Sequence, residues 1–573
     1  MARSMLILAI ALAFISSMVD AAVVEHTFHV GNLTVRRLCR SKVITAVNDR
    51  YPGPTIDVHE GDTLVVNVIN DSPYNITIHW HGIFQILSAW ADGPNMITQC
   101  PIRPGKSYIY KFTVTGQEGT LWWHAHASLL RATVYGALLI RPRQGTQGYP
   151  FHQPDKEVPI LLGEWWNPNL VDVANQAFLT GGTPNVSDAY TINGKPGDLY
   201  PCSKKHTYKL EVEEGKTYLL RIINAALDNQ LFFKIAGHHF TVVAADASYT
   251  KPYKTDVIVI APGQTVDALM VADAAPARYY MAALPYISTP NPPPPRPAFD
   301  NTTTTGIVQY KSALPSLHPV MPTMPSFFDN AVAFRFFSKL TALCRTEDRT
   351  VPLHVDERMF ITVGLGLVAC QPTQSLCNQT QGALAASMNN VSFQFPTTMS
   401  LLEAHFKGVK GVYTADFPHK PPVFFDFTNA SVNAVPALQP LMFTSQATKV
   451  KKIKYNATVE MVLQDTAILG IESHPMHLHG FDFFVVAQGF GNYDQAAAEK
   501  SYNLVDPQMR NTISVPTGGW AVIRFIANNP GVWIMHCHLD AHLSLGLATA
   551  FEVENGPTPE STLPPPPPDF PTC

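Results

Sequence analysis

The sequence predicts an all-β protein built from repeated small β-sandwiches. Three observations carry that reading. Proline (48 residues) and glycine (34 residues) are abundant and favour frequent turns. Short runs rich in β-branched and aromatic residues recur between turn residues. They are TLVVNVI at 63–69, YIYKFTV at 108–114, YLLRII at 218–223, FDFFVV at 481–486 and AVIRFI at 521–526. Sustained helical periodicity is missing, apart from a short segment from Gln495 to Lys500. An internal echo fits the repeats: Val58 to Thr63, Val212 to Thr217 and Val515 to Trp520 each place a turn before a strand that ends near Asn70, Asn224 and Asn528.

Taken in chain order, residues 1–22 read as a secretory signal peptide. Arg3 supplies the positive end, and Met5 to Ile15 is an apolar run too short to span a bilayer. The small residues Ala21 and Ala22 then offer a cleavage site. Residues 23–145 form a first domain and 157–315 a second. The proline run NPPPPRP at 291–297 cannot be a central strand. Residues 316–419 are a connector and the start of a third domain, 420–558 its body, and 559–573 a Pro-rich C-terminal tail. No later stretch reaches about 18 uninterrupted apolar residues, so no membrane anchor is expected. At roughly 100–200 residues per domain, the 573 residues suit this division.

Charged residues are only 15% of the chain against a usual ~25%, and hydrophobic residues 46%, which excludes a disordered chain. The net charge is −4 with no dominant basic run, which argues against nucleic acid and anionic membrane as partners. Nine Asn-x-Ser/Thr sequons start at Asn32, Asn70, Asn75, Asn185, Asn301, Asn378, Asn390, Asn429 and Asn456. Asn70 is the weakest, because Pro73 follows its serine. N-linked glycans and an oxidising compartment are therefore expected. Of eight cysteines, Cys537 lies between two histidines, which leaves seven for disulfides and at least one over.

The histidines carry the chemistry. Four His-x-His pairs occur: His79/His81, His124/His126, His477/His479 and His536/His538. Random placement of 21 histidines would give about one such pair. On a strand both imidazoles of a pair point the same way, so each pair can hold metal. His474 and His542 extend the later pairs, and Cys537 adds a thiol. A thiolate with imidazoles is the composition of a blue-copper site. It also suits zinc, but no Cys-x₂-Cys pair exists and ten clustered histidines exceed one zinc site's needs. The other eleven histidines lack such spacing and read as structural or surface residues.

The motifs His79-Trp-His-Gly, Trp122-Trp-His-Ala-His126, His474-Pro-Met-His-Leu-His-Gly480 and His536-Cys-His-Leu-Asp-Ala-His542 resemble the four copper signatures of the multicopper oxidases. Flanking text such as Trp90-Ala-Asp-Gly-Pro-Asn95 is similar to plant laccases in particular. The resemblance implies three cupredoxin-like Greek-key β-sandwich domains and four copper ions: one type 1, one type 2 and two type 3. It assigns the type 1 ion to His474, Cys537 and His542, with Leu547 at the axial position where ascorbate oxidases carry Met. An apolar axial neighbour favours Cu(I) and raises the potential. The type 2 ion takes His79 and His477. The type 3 pair takes His81, His124 and His538 on one ion, and His126, His479 and His536 on the other. Electrons would pass from Cys537 to its neighbours His536 and His538.

Asp92 matches a family position that relays protons near the cluster. Asp228 falls near a substrate-orienting acid beside the type 1 site. Disulfides implied by the family are Cys39–Cys202 and Cys100–Cys573; the short spacing of Cys370 and Cys377 suggests a third, leaving Cys344 as the odd thiol. The implied function is a secreted laccase of the apoplast or cell wall, a monomer that oxidises phenols (monolignols and lignin-type phenols) and reduces dioxygen to water. The competing readings are an ascorbate- or metal-ion-oxidising relative, and a non-catalytic wall protein of the same fold. Leu547 disfavours ascorbate, and the complete ligand set disfavours the wall protein.

Overall fold

The computed structural model describes residues 21–146, 148–289, 299–343, 350–429 and 435–573. Six sheets pack as three sandwiches. In the first, the sheet Arg40–Val47, Val23–Arg37, Thr63–Asn70, Ser107–Thr113 faces the sheet Ile56–His59, Tyr135–Arg141, Gly119–Ala125, Ile78–His81. The second pairs six- and five-stranded sheets, and the third eight- and five-stranded sheets. Outer strands alternate in burial, as a half-solvated sheet must: Ser107–Thr113 turns Tyr108, Tyr110 and Phe112 inward. They pack with Phe28, Trp80 and Trp123 in one core.

Each sandwich repeats one device. A long first strand pairs parallel with a second, which pairs antiparallel with a third. The triplets are Val23–Arg37, Thr63–Asn70 and Ser107–Thr113; Lys156–Trp165, Thr217–Asn224 and Thr265–Val271; and Glu357–Val368, Thr458–Asp465 and Gly519–Ile526. This corrects the third member of the sequence echo. Gly519–Ile526 is the third strand of its triplet, and Thr458–Asp465 is the true counterpart. A turn before a strand is common to every hairpin, so that signal alone could not tell the two apart. Asn70 and Asn224 end their strands alike. Each Nδ2 donates to two carbonyls, and each Oδ1 accepts a backbone N–H two residues on. Asp465 takes this place in the third copy.

Helices are also longer than expected: Leu170–Thr180, Asn330–Lys339 and Leu401–Lys407. The first begins at Asn169, whose side chain accepts from Val171 N and Asp172 N, and ends at Gly181 in the left-handed conformation. Its Leu170 and Val173 pack with Leu129, Ala132, Trp166 and Leu227. Gln495–Ala498 is helical, as expected.

The three expected disulfides form, with Cα separations of 5.2, 5.1 and 6.0 Å for Cys39–Cys202, Cys100–Cys573 and Cys370–Cys377. Cys344, the apolar run at 5–15 and the proline run at 291–297 lie outside the described residues. The tail is not loose. Trp90 Nε1 donates to Pro564 O (2.8 Å), and Phe570 packs edge-on against Trp90 and Tyr108. Seven sequon asparagines are exposed and Asn390 is half-buried. Asn70 is fully buried with its amide engaged, so it is withdrawn as a glycan acceptor. Among the described residues no helix is long and apolar enough to cross a membrane.

Candidate metal centre

Strand alternation builds the site. Ile78–His81, Gly119–Ala125, His474–Leu478 and Gly531–Cys537 are buried at every position, so neither face meets water. Ile78, Trp80, Leu121, Trp123 and Ala125 face the first core. His79, His81 and His124 therefore face away from it. In the third sandwich Met476, Leu478, Met535 and Cys537 belong to the core, and His477, His479, His536 and His538 project from the other side. Register aligns the pairs: His79 lies opposite His124, and His477 opposite His536. The first and third sandwiches thus bring all four pairs together.

The nitrogens meet closely. His126 Nε2 and His479 Nε2 lie 3.4 and 3.1 Å from His536 Nε2, and His538 Nε2 lies 3.1 Å from His81 Nδ1. Ring centroids of His81 and His477 are 3.8 Å apart, and those of His79 and His479 4.0 Å. Oxygen acceptors fix the tautomers. Nδ1 of His79, His124, His477, His479 and His536 donates to the carbonyl of Asp92, the carbonyl of Ala125, the carbonyl of Asn511, the Asp92 carboxylate and the carbonyl of Cys537. His81 Nε2 instead faces Asn511 Oδ1 and Thr512 Oγ1, both at 3.2 Å.

The remaining nitrogens therefore carry lone pairs directed at one another, an arrangement that calls for cations between them. Nε2 of His79, His124 and His477 is buried with no hydrogen-bond partner. Burial pushes His536 down to about 3. Burial and the surrounding imidazoles hold His81, His477 and His479 far below the ordinary histidine range. Neutral imidazoles are what a metal ion needs.

A second group stands on the core side of the same strand. His474 Nδ1 and His542 Nδ1 lie 3.7 and 3.6 Å from Cys537 Sγ. Burial opposes ionisation of the thiol, but the two imidazoles outweigh it and hold Cys537 below its ordinary value. Leu547 is fully buried, and its carbonyl accepts from Cys537 N (3.0 Å). Thiolate and two imidazoles beside an apolar residue suit copper.

Asp92 is completely buried and clamps two imidazoles. Its Oδ2 is 3.0 Å from His479 Nδ1 and its Oδ1 3.2 Å from His79 Nδ1. Gly93 beside it has φ +97°, and a Cβ there would strike the Ile78 carbonyl. Asp228 stands beside the thiolate group. Its Oδ1 accepts from Ala541 N (2.9 Å), next to His542.

Sequence reasoning misses other members of the site. Asp465 stands 3.6 Å from His474 Nε2, and Glu472, about a quarter exposed, stands 3.3 Å from His542 Nε2. Asn511, Thr512 and Arg131 touch the eight-histidine cluster directly. Only Asp465 could have been found, from the strand-ending position it shares with Asn70 and Asn224. A cavity of about 430 Å³ opens onto His124, His126 and His536, walled partly by Phe178 and Phe395.

Models of the multicopper oxidase family match residues 29–145, 156–313 and 416–557. The chain is 60% identical to Laccase-7 of Arabidopsis thaliana, over 99% of this chain and 98% of that protein. It is 59% identical to Laccase-25 of Oryza sativa subsp. japonica, over 99% of each. The solved laccase from Botrytis aclada superposes with a TM-score of 0.70 at 26% identity, covering 95% of this chain and 89% of that one. Fet3p, a multicopper oxidase that functions in iron import, shares the fold at TM-score 0.71 and 22% identity, over 93% of this chain and 90% of that one. The chain belongs to the multicopper oxidase family, whose cofactor is copper. Within that family it is a laccase-type oxidoreductase.

Proposed function

We propose that this laccase is a secreted, glycosylated enzyme that oxidises lignin-type phenols and returns the electrons to dioxygen. The observation that carries the reading is the placing of two donor sets on opposite faces of Gly531–Cys537, one residue apart. His474, Cys537 and His542 would hold the type 1 ion. His79 and His477 would hold the type 2 ion, with His81, His124 and His538, and His126, His479 and His536, holding the type 3 pair. Of four close groupings among the described residues, two follow this division, His126 with His479 and His536, and His474 with Cys537 and His542; the other two set His79 with His477 and His479, and with His81 and His124. Copper, when bound, supplies the one-electron chemistry.

The chain's own residues do the rest. Cys537 is joined through the backbone to His536 and His538, a short covalent path between the two sets. The Glu472 carboxylate, at the outer nitrogen of His542, can take the proton that a phenol loses. Asp92 holds His79 and His479 in one orientation. The cavity on His124, His126 and His536 gives dioxygen and water a route separate from the phenol. Fully buried Leu547 is consistent with a high potential and disfavours ascorbate as substrate.

Copper analysis with oxygen uptake on phenols, ascorbate and Fe(II) tests the reading. Four ions per chain, a blue Cu(II)–thiolate band and preference for phenols are expected. Cys537→Ser should lose both the band and the uptake. Preference for Fe(II) would overturn the phenol assignment, and a colourless, inactive copper-loaded protein would favour a structural role.

A further inference from the structure

Six of the eight cluster imidazoles are oriented by an oxygen acceptor on one ring nitrogen. His538 is held differently, through its backbone carbonyl, by a guanidinium that also lies against its ring. Arg131 lies in the turn Ser128–Ala132 of the first sandwich and is 3% exposed. Its Nη1 stands against the His538 ring, 2.5 Å from Nδ1 and 3.2 Å from Nε2. Its Nη2 donates to the carbonyls of His538 (3.0 Å), Leu227 (3.0 Å) and Ala226 (3.3 Å). Its Nε faces Asp540 Oδ2 at 3.4 Å. One side chain from the first sandwich thus grips the second at Ala226 and Leu227, and the third at His538 and Asp540. Asp540 N also donates to Leu227 O (3.0 Å), so the loop and the strand end are sewn together around the guanidinium.

A buried cation is costly unless its donors are used. Here the planar fork spends them on one junction, where His538 and Asp540 of the third sandwich meet Ala226 and Leu227 of the second. Resting on the copper assignment above, we propose that Arg131 is a positioning residue for electron transfer. It fixes His538 and the Cys537–His538 backbone link against the first sandwich, so that the path from the thiolate to the cluster keeps one geometry. Lysine is a poor substitute, because a single ammonium cannot reproduce the planar fork that meets carbonyls of two sandwiches together.

The test compares copper-loaded Arg131→Lys and Arg131→Met with the native enzyme. Copper content and the blue band report whether the centres assemble; failure of the blue band in the native protein would sink the copper assignment rather than this proposal. Under anaerobic conditions the type 1 site is reduced by a single electron, and the return of blue colour reports passage to the cluster. The expected result is an intact blue band in both variants with passage slowed on the order of tenfold or more, the usual scale for losing a ligand's supporting partner. Unchanged passage would overturn the proposal, and so would full rescue by lysine, which would mean that charge alone matters. A purely structural Arg131 would lower the thermal midpoint and leave the passage rate alone. Should neither variant fold, Asp540→Ala frees one edge of the guanidinium; passage slowed several-fold supports the positioning role, and native passage in that variant overturns it.

Discussion

His477 lies directly opposite His536 across the strands His474–Leu478 and Gly531–Cys537, and the neighbouring pair, Met476 and Cys537, faces the other way. A period-two backbone therefore separates the thiolate set from the imidazole cluster by one residue. A one-residue slip of either strand would exchange the faces and destroy both sets together. The parallel and antiparallel pairing around Thr458–Asp465 helps lock the third sandwich that holds this register.

Asp92 accepts from His479 Nδ1 with its carboxylate and from His79 Nδ1 with its backbone carbonyl. Asp92→Asn keeps the shape and loses the charge, and oxygen uptake should fall roughly 10–100-fold. The blue band should survive, because Cys537 faces the opposite side of its strand. Oxygen uptake and absorption on the same sample decide it; loss of the blue band with uptake intact would refute the clamp.

Glu472 accepts from the outer nitrogen of His542 and makes that imidazole a stronger donor. Glu472→Gln should raise the type 1 potential by on the order of 50 mV, a roughly tenfold shift in a one-electron equilibrium. Redox titration of the blue band reads this directly. A lowered or unchanged potential would remove Glu472 from the site's tuning.

Gly263, at φ +91° in the second sandwich, sits under the cluster. A Cβ there would lie 2.9 Å from the His538 ring and 3.1 Å from His81. Gly263→Ala should destabilise by about 1–3 kcal/mol and disturb copper loading. Thermal unfolding and metal content test it together, and native values for both would show that the turn yields freely.

Glu552 is held at about 2, chiefly by its hydrogen bond with His405, against the opposing effect of burial, with help from Tyr413. An unfolded glutamate titrates near 4.5. The folded pKa is depressed, so this stabilisation is complete above about pH 4.5 and lost as pH falls toward 2. Glu552→Gln should therefore cost stability near pH 5 and almost none near pH 2. Unfolding midpoints across that range are the measurement; a deficit that persists at pH 2 would assign the effect to packing.

The centre was far more legible in the sequence than its supports. His-x-His spacing and Cys537 speak through strand periodicity, which is local. Arg131, Asn511 and Glu472 act across sandwiches, and nothing near them in the chain marks the partner they meet. The helix Leu170–Thr180 is a different kind of miss: Leu170, Val173, Ala174 and Ala177 repeat with helical spacing, and Asn169 and Gly181 mark its ends. The third repeat was misplaced because its first strand, Glu357–Val368, precedes its partner Thr458–Asp465 by a long insertion. That insertion hid the copy that turns a strand-ending Asn into Asp465.

The bond between Cys100 and Cys573 closes a ring of chain with a sequence separation of 473 residues. A protease that cuts once anywhere in that ring leaves a single covalent molecule, with its three sandwiches still gripping the cluster. Such nicked protein would keep its colour, gain only the mass of one water, and fall into two pieces only after reduction and denaturation.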